Sequence, residues 1–418
     1  MQSPALLVVH GIGRQSRGDA LAQCVGGLLS VCPEATLHTG DLADLSLGGL
    51  QEQQLSHVRL RQGGREVRLY EVYWADLLPN DAVAGAFSKF DLEETTWFGW
   101  LNWQAGLLPR DQYSGALVVA RTLQLWTLQV MMSLALEVVI ASRRIRAHVL
   151  DQTAADVWAY VHSLAGEVKA DSPLQGSADR MLDRVLAAWQ HARADGAGDI
   201  HVIAHSLGTV IAYHALARRL PPNAIRRLFT IGSPLEKVRF LWTRLFPPRL
   251  DWSCEWINVF TPSDPVSGKL KRFDAVSARV ENRRLWGVGG YGEAHVGYYR
   301  DGRVMALLAE GLGLTTGRPG SAGPSWFIRR LVDIAVPALT LVLVALGAVL
   351  TLAFFWLAIR ATGWLTALPV GLFSAEWAAI VESWWRTGFG WAMPVLWLVF
   401  LTKDGYLRSV TRHERRWR

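Results

Sequence analysis

The sequence predicts an α/β fold on a mostly parallel sheet, with a helical insert and a C-terminal transmembrane helical hairpin. Three stretches predict it. Ala5-Leu6-Leu7-Val8-Val9 is wholly apolar and enters a glycine-containing turn, as a strand covered on both faces does. Ile200-His201-Val202-Ile203-Ala204-His205-Ser206-Leu207-Gly208 runs from an apolar strand through a small-x-Ser-x-Gly turn into a helical pattern. Residues 334–359 carry no charge over 26 positions, a helix of about 39 Å against a hydrocarbon core of about 30 Å.

Composition bounds the function. The 418 residues leave room for about two or three domains. Half are apolar, 20 are tryptophan and the mean hydropathy is +0.16, too greasy for an ordinary soluble enzyme. Cys24, Cys32 and Cys254 give no disulfide framework and fit a reducing compartment. No Cys/His spacing resembles a metal site, so neither metal nor cofactor is expected. The net charge of +7 would suit nucleic acid. Much of it, however, lies in 403–418, where Lys403, Arg408, Arg412, Arg415, Arg416 and Arg418 outnumber Asp404 and Glu414. Basic residues beside an apolar segment face anionic headgroups more often, and no nucleic-acid-binding motif stands against that.

Taken in order, 5–9 reads as the first core strand, too short and without the basic flank of a signal peptide. His10-Gly11-Ile12-Gly13 follows, where a serine hydrolase would place its oxyanion loop; an ordinary strand–helix turn is the alternative. Residues 14–30 read as a helix with Leu21, Val25, Leu28 and Leu29 on one face, and 67–74 as a strand. Residues 79–150 change character, with Trp97, Trp100 and Trp103 clustered and 122–136 uncharged. One crossing there would put the strands before His10 and Ser206 on opposite sides of a bilayer, though they must share a sheet. Fifteen residues are also short of the roughly 20 a span needs. A helical cap dipping into the lipid interface is preferred, with extra core helices as the alternative.

Residues 154–168 and 177–194 read as amphipathic helices, Asp183 and Arg184 lying on the wet face of the second. The elbow comes next. Ala204 and Gly208 keep the strand and helix backbones free to approach, and the helix N-terminus behind Ser206 offers N–H groups to an oxyanion. The alternative is a helix-capping serine. Strand 227–231 closes in Gly232-Ser233-Pro234; Ser233 is a rival nucleophile, but Pro234 should spoil the helix start an elbow requires. Residues 235–254 show no clear period. Strand 255–260 leads to Thr261-Pro262-Ser263-Asp264-Pro265, whose aspartate is either a histidine-orienting acid or a solvated turn residue. After a last strand at 278–286, Gly287-Val288-Gly289-Gly290-Tyr291-Gly292 matches a dinucleotide fingerprint, but no helix starts there and no βαβ unit surrounds it. It reads as a loop delivering His295, ahead of a final helix at 303–314.

Ser206, Asp264 and His295 supply what acyl transfer needs. The hydroxyl is a poor nucleophile until an imidazole takes its proton, and the imidazole needs a buried carboxylate to fix its tautomer. The N–H groups of Ile12 and Leu207 would hold the oxyanion, supported by His10, Gly11, Gly13, Ala204 and Gly208.

His10-Gly11-Ile12-Gly13, Ala204-His205-Ser206-Leu207-Gly208, Gly232-Ser233-Pro234, Asn258 with Asp264-Pro265-Val266, and His295 with Tyr298 resemble the α/β-hydrolase superfamily. Within it they are similar to the bacterial serine-esterase branch, including lipase-like and glycosylphosphatidylinositol-deacylase-like groups. The order nucleophile, acid, base is that of these enzymes. The resemblance covers residues 1–316 and implies a doubly wound sheet and carboxylic-ester hydrolysis through an acyl-enzyme. Ala204 departs from it, standing where the commonest pattern has glycine.

Residues 317–333 then read as a linker, 334–402 as a two-span membrane hairpin and 403–418 as a basic cytoplasmic tail. Residues 387–402 form a second uncharged run, with Trp384, Trp385 and Trp391 as an interfacial belt, and 361–375 is a third candidate that leaves the exact number of spans open. Arg329, Arg330 and the tail should share the cytoplasmic side, which requires an even number of crossings. The expectation is an enzyme on a bacterial inner membrane, its catalytic domain facing the cytoplasm, with the bilayer and an apolar or lipid ester as partners. Acyl transfer to an alcohol and a non-enzymatic scaffold are the alternatives. Oligomeric state, chain length of the substrate and lid motion are left open.

Overall fold

The computed structural model describes residues 3–12, 15–37, 57–78, 155–247, 252–262, 264, 266–273, 280–288, 294–317 and 342. All but the last belong to one of the two units into which the chain divides, the one built from Met1–Phe90, Val139–Ile334 and Trp417–Arg418.

Its centre is an eight-stranded mixed sheet in the order β2-β3-β4-β1-β5-β6-β7-β8. The strands are β1 (Ala5–Val9), β2 (Thr36–Leu37), β3 (His57–Gln62), β4 (Arg65–Val72), β5 (Ile200–His205), β6 (Arg227–Ile231), β7 (Glu255–Phe260) and β8 (Val280–Arg284). From β4 to β8 every neighbouring pair is parallel; β3 runs opposite to the other seven strands and pairs antiparallel with both β2 and β4. β3 and β4 form a hairpin through Gly63 and Gly64, at φ +53° and +79°. A two-residue turn with positive φ at both positions matches the twist of the strands it joins. This hairpin is not anticipated from the sequence, because Arg59 and Arg61 interrupt the apolar run of β3.

Among the described residues six α-helices accompany the sheet: α1 (Asp19–Val31), α2 (Ala155–Leu164), α3 (Ser177–Ala194), α4 (Leu207–Arg218), α5 (Leu235–Leu241) and α6 (Gly302–Gly311). α1 packs on β1, β4 and α6, while α3 and α4 pack on β1 and on each other, with α2 against α3. Strands covered on both faces explain why β1 and β5 are buried at every position. One core joins Leu6, Val8, Ile203 and Phe229 of the sheet to Leu21 and Leu28 of α1 and Met305 and Leu308 of α6.

The element at 235–241 corrects one expectation. A helix does begin directly after Pro234, which stands at its N-cap. Proline is tolerated at a helix start because the N–H it lacks would have no partner there. The last strand is shorter than 278–286, and the final helix ends at Gly311.

Register places the site. Val9 pairs with Val72 on one side and Ala204 on the other, so β1, β4 and β5 end level. The chain order reverses between β1 and β5, which makes their C-terminal edge the topological switch point where open α/β sheets bind ligands. Among the described residues no helix is long and apolar enough to cross a membrane. The insert 79–150, the linker beyond residue 317, the hairpin 334–402 and the tail 403–418 lie outside the described residues, residue 342 excepted.

Candidate active site

β5 ends at His205 and the chain turns at Ser206, whose backbone sits at φ +52°, ψ −128°. A non-glycine residue pays roughly 1–3 kcal/mol of strain there. Hydrogen bonds hold the turn: Ser206 N–H donates to Ile231 O at 3.2 Å, and Ser206 O accepts from Thr209 N–H and Oγ1–H at 3.0 and 2.7 Å. Gly208 is required because a Cβ would stand 2.3 Å from His10 O and 2.8 Å from Val9 O. Gly11 meets the same restriction from the other side, since its Cβ would lie 2.8 Å from that of Ser206. Ala204 is fully buried between Val9 and Thr230.

The structure brings the three expected side chains into one line. Ser206 Oγ lies 2.9 Å from His295 Nε2. His295 Nδ1 lies 3.1 and 3.0 Å from Asp264 Oδ1 and Oδ2. A carboxylate only accepts, so Nδ1 carries the proton and Nε2 is left to accept from the serine hydroxyl. Ser206 and Asp264 are buried, and the His295 side chain is 17% exposed.

Asp264 is kept ionised. Burial by itself raises its pKa, but the hydrogen bond and charge of His295, the N–H of Val266 at 2.8 Å and the charge of Lys237 outweigh burial. The carboxyl is held well below the usual range. Tyr298 also donates its hydroxyl to Oδ2 at 2.9 Å, and its oxygen accepts from Ser267 Oγ at 3.1 Å.

His10 is a buried fixture of the loop after β1. Trp74 N–H donates to its Nε2 at 3.1 Å, so Nδ1 holds the proton and donates to Gly11 O at 2.8 Å. Trp74 stacks on the ring at 4.4 Å and donates its indole N–H to His10 O at 3.1 Å. Burial lowers the pKa of His10 to about 4, so the ring stays neutral at pH 7. Ile12, partly buried, comes next along this loop, and Leu207 opens α4, where the first N–H groups have no intrahelical acceptor. Gly13 lies outside the described residues.

No family model and no curated protein matches this chain.

Ser233 is no rival nucleophile, and the reason differs from the expected one. Thr209 spends its only hydroxyl proton on Ser206 O, so Ser233 Oγ must donate to Thr209 Oγ1 at 2.8 Å. Ser233 Oγ also accepts from Leu235 N–H at 3.3 Å. Its proton is committed away from any base.

The loop that carries Asp264 is held by Asn258, named above only for the resemblance it carries, and by two residues that sequence reasoning missed. Lys237 of α5 donates from Nζ to Val266 O at 2.9 Å and Ser267 O at 3.3 Å. Glu236, almost fully buried, takes the side chain and N–H of Arg272; burial raises its pKa, against the pull of Arg272. Asn258 donates to Gly268 O and Asn282 Oδ1 and accepts from Thr230. A polar residue in the middle of an apolar strand is the signal Asn258 carried; Lys237 and Glu236 carried none. Among the described residues no group of three or more His, Cys, Asp or Glu could hold a metal ion.

Proposed function

We propose that this chain is a serine hydrolase of the α/β-hydrolase type that cleaves carboxylic esters through an acyl-enzyme. The reading rests on one observation, the unbroken hydrogen-bonded line Ser206–His295–Asp264 beside the sheet's switch point. Ser206 Oγ attacks the ester carbonyl as His295 Nε2 takes its proton, and Asp264 stabilises the imidazolium that forms. The N–H groups of Ile12 and Leu207 receive the oxyanion on the loop that Gly11 brings against Ser206. His295 returns the proton to the leaving alcohol, then activates a water that releases the acid.

The uncharged runs at 334–359 and 387–402 and the basic tail favour a membrane-anchored enzyme facing the cytoplasm of a bacterium, with apolar or lipid esters as substrates. Full-length protein in detergent is expected to release p-nitrophenol from p-nitrophenyl acyl esters, and Ser206→Ala to abolish that release. Equal turnover by the two proteins refutes the reading. A long-chain alcohol in the assay, with identification of the products, separates hydrolysis from acyl transfer.

A further inference from the structure

His205 is the residue before the nucleophile, and nothing in the mechanism above uses its side chain. Its ring is buried, and its Nε2 lies 2.7 Å from the main-chain carbonyl oxygen of His295. A carbonyl only accepts, so Nε2 carries the proton and donates. The two rings lie 4.8 Å apart between centroids.

We propose that His205 is a positioning residue for the general base: its Nε2–H grips the backbone of His295 and sets the imidazole against the hydroxyl of the next residue in the chain. The inference rests on the serine-hydrolase reading and deepens it. The bond links a rigid element, the end of β5, to the loop that carries the base, so nucleophile and base share one anchor. Both termini of that anchor are fixed. Ser206 follows His205 covalently, and His295 is the residue gripped.

The surroundings fit this duty. The ring lies in a slot between two glycines, where a Cβ at Gly11 would come within 2.9 Å of Nδ1 and one at Gly232 within 3.1 Å of Cδ2 and Nε2. Tyr298 and Tyr299 stand beyond, with ring centroids at 6.2 and 6.1 Å. Chemistry also requires a neutral ring, because His295 becomes cationic during each acyl transfer and a second positive charge beside it would oppose that. Burial, followed by the neighbouring His295, lowers the pKa of His205 to about 4. A lysine or arginine could donate the same hydrogen bond but would bring the charge that a neutral imidazole avoids.

The test compares His205→Phe, which keeps a ring without a donor, with His205→Gln, which keeps an N–H donor, in the full-length chain. kcat and KM are measured on a p-nitrophenyl ester, alongside the rate of fluorophosphonate labelling and Tm. A base displaced by about 1 Å costs on the order of 100-fold in rate. His205→Phe is expected to lower kcat and the labelling rate by about 10–100-fold with KM within about twofold, and His205→Gln to recover most of that loss. His205→Met is a second donor-free variant should the phenylalanine not fold. Donor-free variants that label as fast as wild type overturn the proposal. So do Phe and Gln variants slowed equally with equal losses of Tm, which would mark a packing role. Wild type that does not label at all overturns the hydrolase reading and this inference with it, a result distinguishable from the other two.

Discussion

His295 Nε2 and Ser206 Oγ stand 2.9 Å apart although 89 positions separate the two residues. No local spacing along the chain brings this about. It follows from β5 ending beside β1 at one edge of the sheet, and from a loop beyond β8 returning to that edge over His205.

The acid in this line makes a strong prediction. Asp264→Asn leaves a side chain of the same shape but no longer dictates that His295 Nδ1 carries the proton. kcat is expected to fall about 10⁴-fold with the fold retained; steady-state kinetics and circular dichroism check both parts.

Asp264 also ties stability to pH. Its folded pKa lies below the unfolded value of about 3.9, so its contribution is complete above about pH 4 and is lost as pH falls through the lower folded value. Wild type should therefore lose Tm relative to Asp264→Asn as pH falls below about 4, read from thermal melts at several pH values.

Glu71 predicts the opposite slope. Its carboxyl is buried on β4, with Oε2 accepting the N–H of Gly18 near the start of α1. Burial, against the opposing pull of the Gly18 and Leu21 N–H groups, pushes its pKa up to about 7. Between about pH 4.3 and pH 7 the folded state binds more protons than the unfolded one, so stability falls as pH rises through that window. Glu71→Gln can still accept the Gly18 bond. It is expected to gain on the order of 1–3 kcal/mol relative to wild type at pH 8, with most of that gain absent at pH 5. Denaturant melts at the two pH values measure the difference.

Adjacent glycines of α1 should respond with opposite signs. A Cβ at Gly26 meets nothing within 4 Å, whereas one at Gly27 would stand 2.3 Å from Tyr299 O and 2.9 Å from the Met305 side chain. Gly26→Ala is expected to stabilise by about 0.5–1 kcal/mol. Gly27→Ala should destabilise by roughly 1–3 kcal/mol, because α1 must move away from the Tyr299 backbone and α6. Equilibrium unfolding of the two variants decides.

Much of this arrangement was legible in the residues themselves. Apolar runs entering glycine turns located β1 and β5, because a parallel strand covered on both faces has no polar face to disguise it. Ser206 and Gly208 could be read because a close strand–helix turn tolerates few side chains. Ser177–Ala194 was legible from its amphipathic period. β3 was not, since an antiparallel strand near the sheet's edge can carry Arg59 and Arg61. The contacts by which His10 supports its loop, and the duties of His205, Lys237 and Glu236, were equally hidden. They depend on partners between 29 and 90 positions away, Trp74, His295, Val266 and Arg272, which no local spacing records. Ser233 shows the converse: its setting looked spoiled by Pro234, yet what disqualifies it is a proton already donated to Thr209.

The most direct test of the central claim is the mass of the active-site peptide after full-length protein reacts with a fluorophosphonate. The account predicts a single phosphonyl adduct on Ser206, formed by wild type and lost when Asp264→Asn or Ser206→Ala is substituted. An adduct on another serine such as Ser233, or no adduct on natively folded protein, would contradict it.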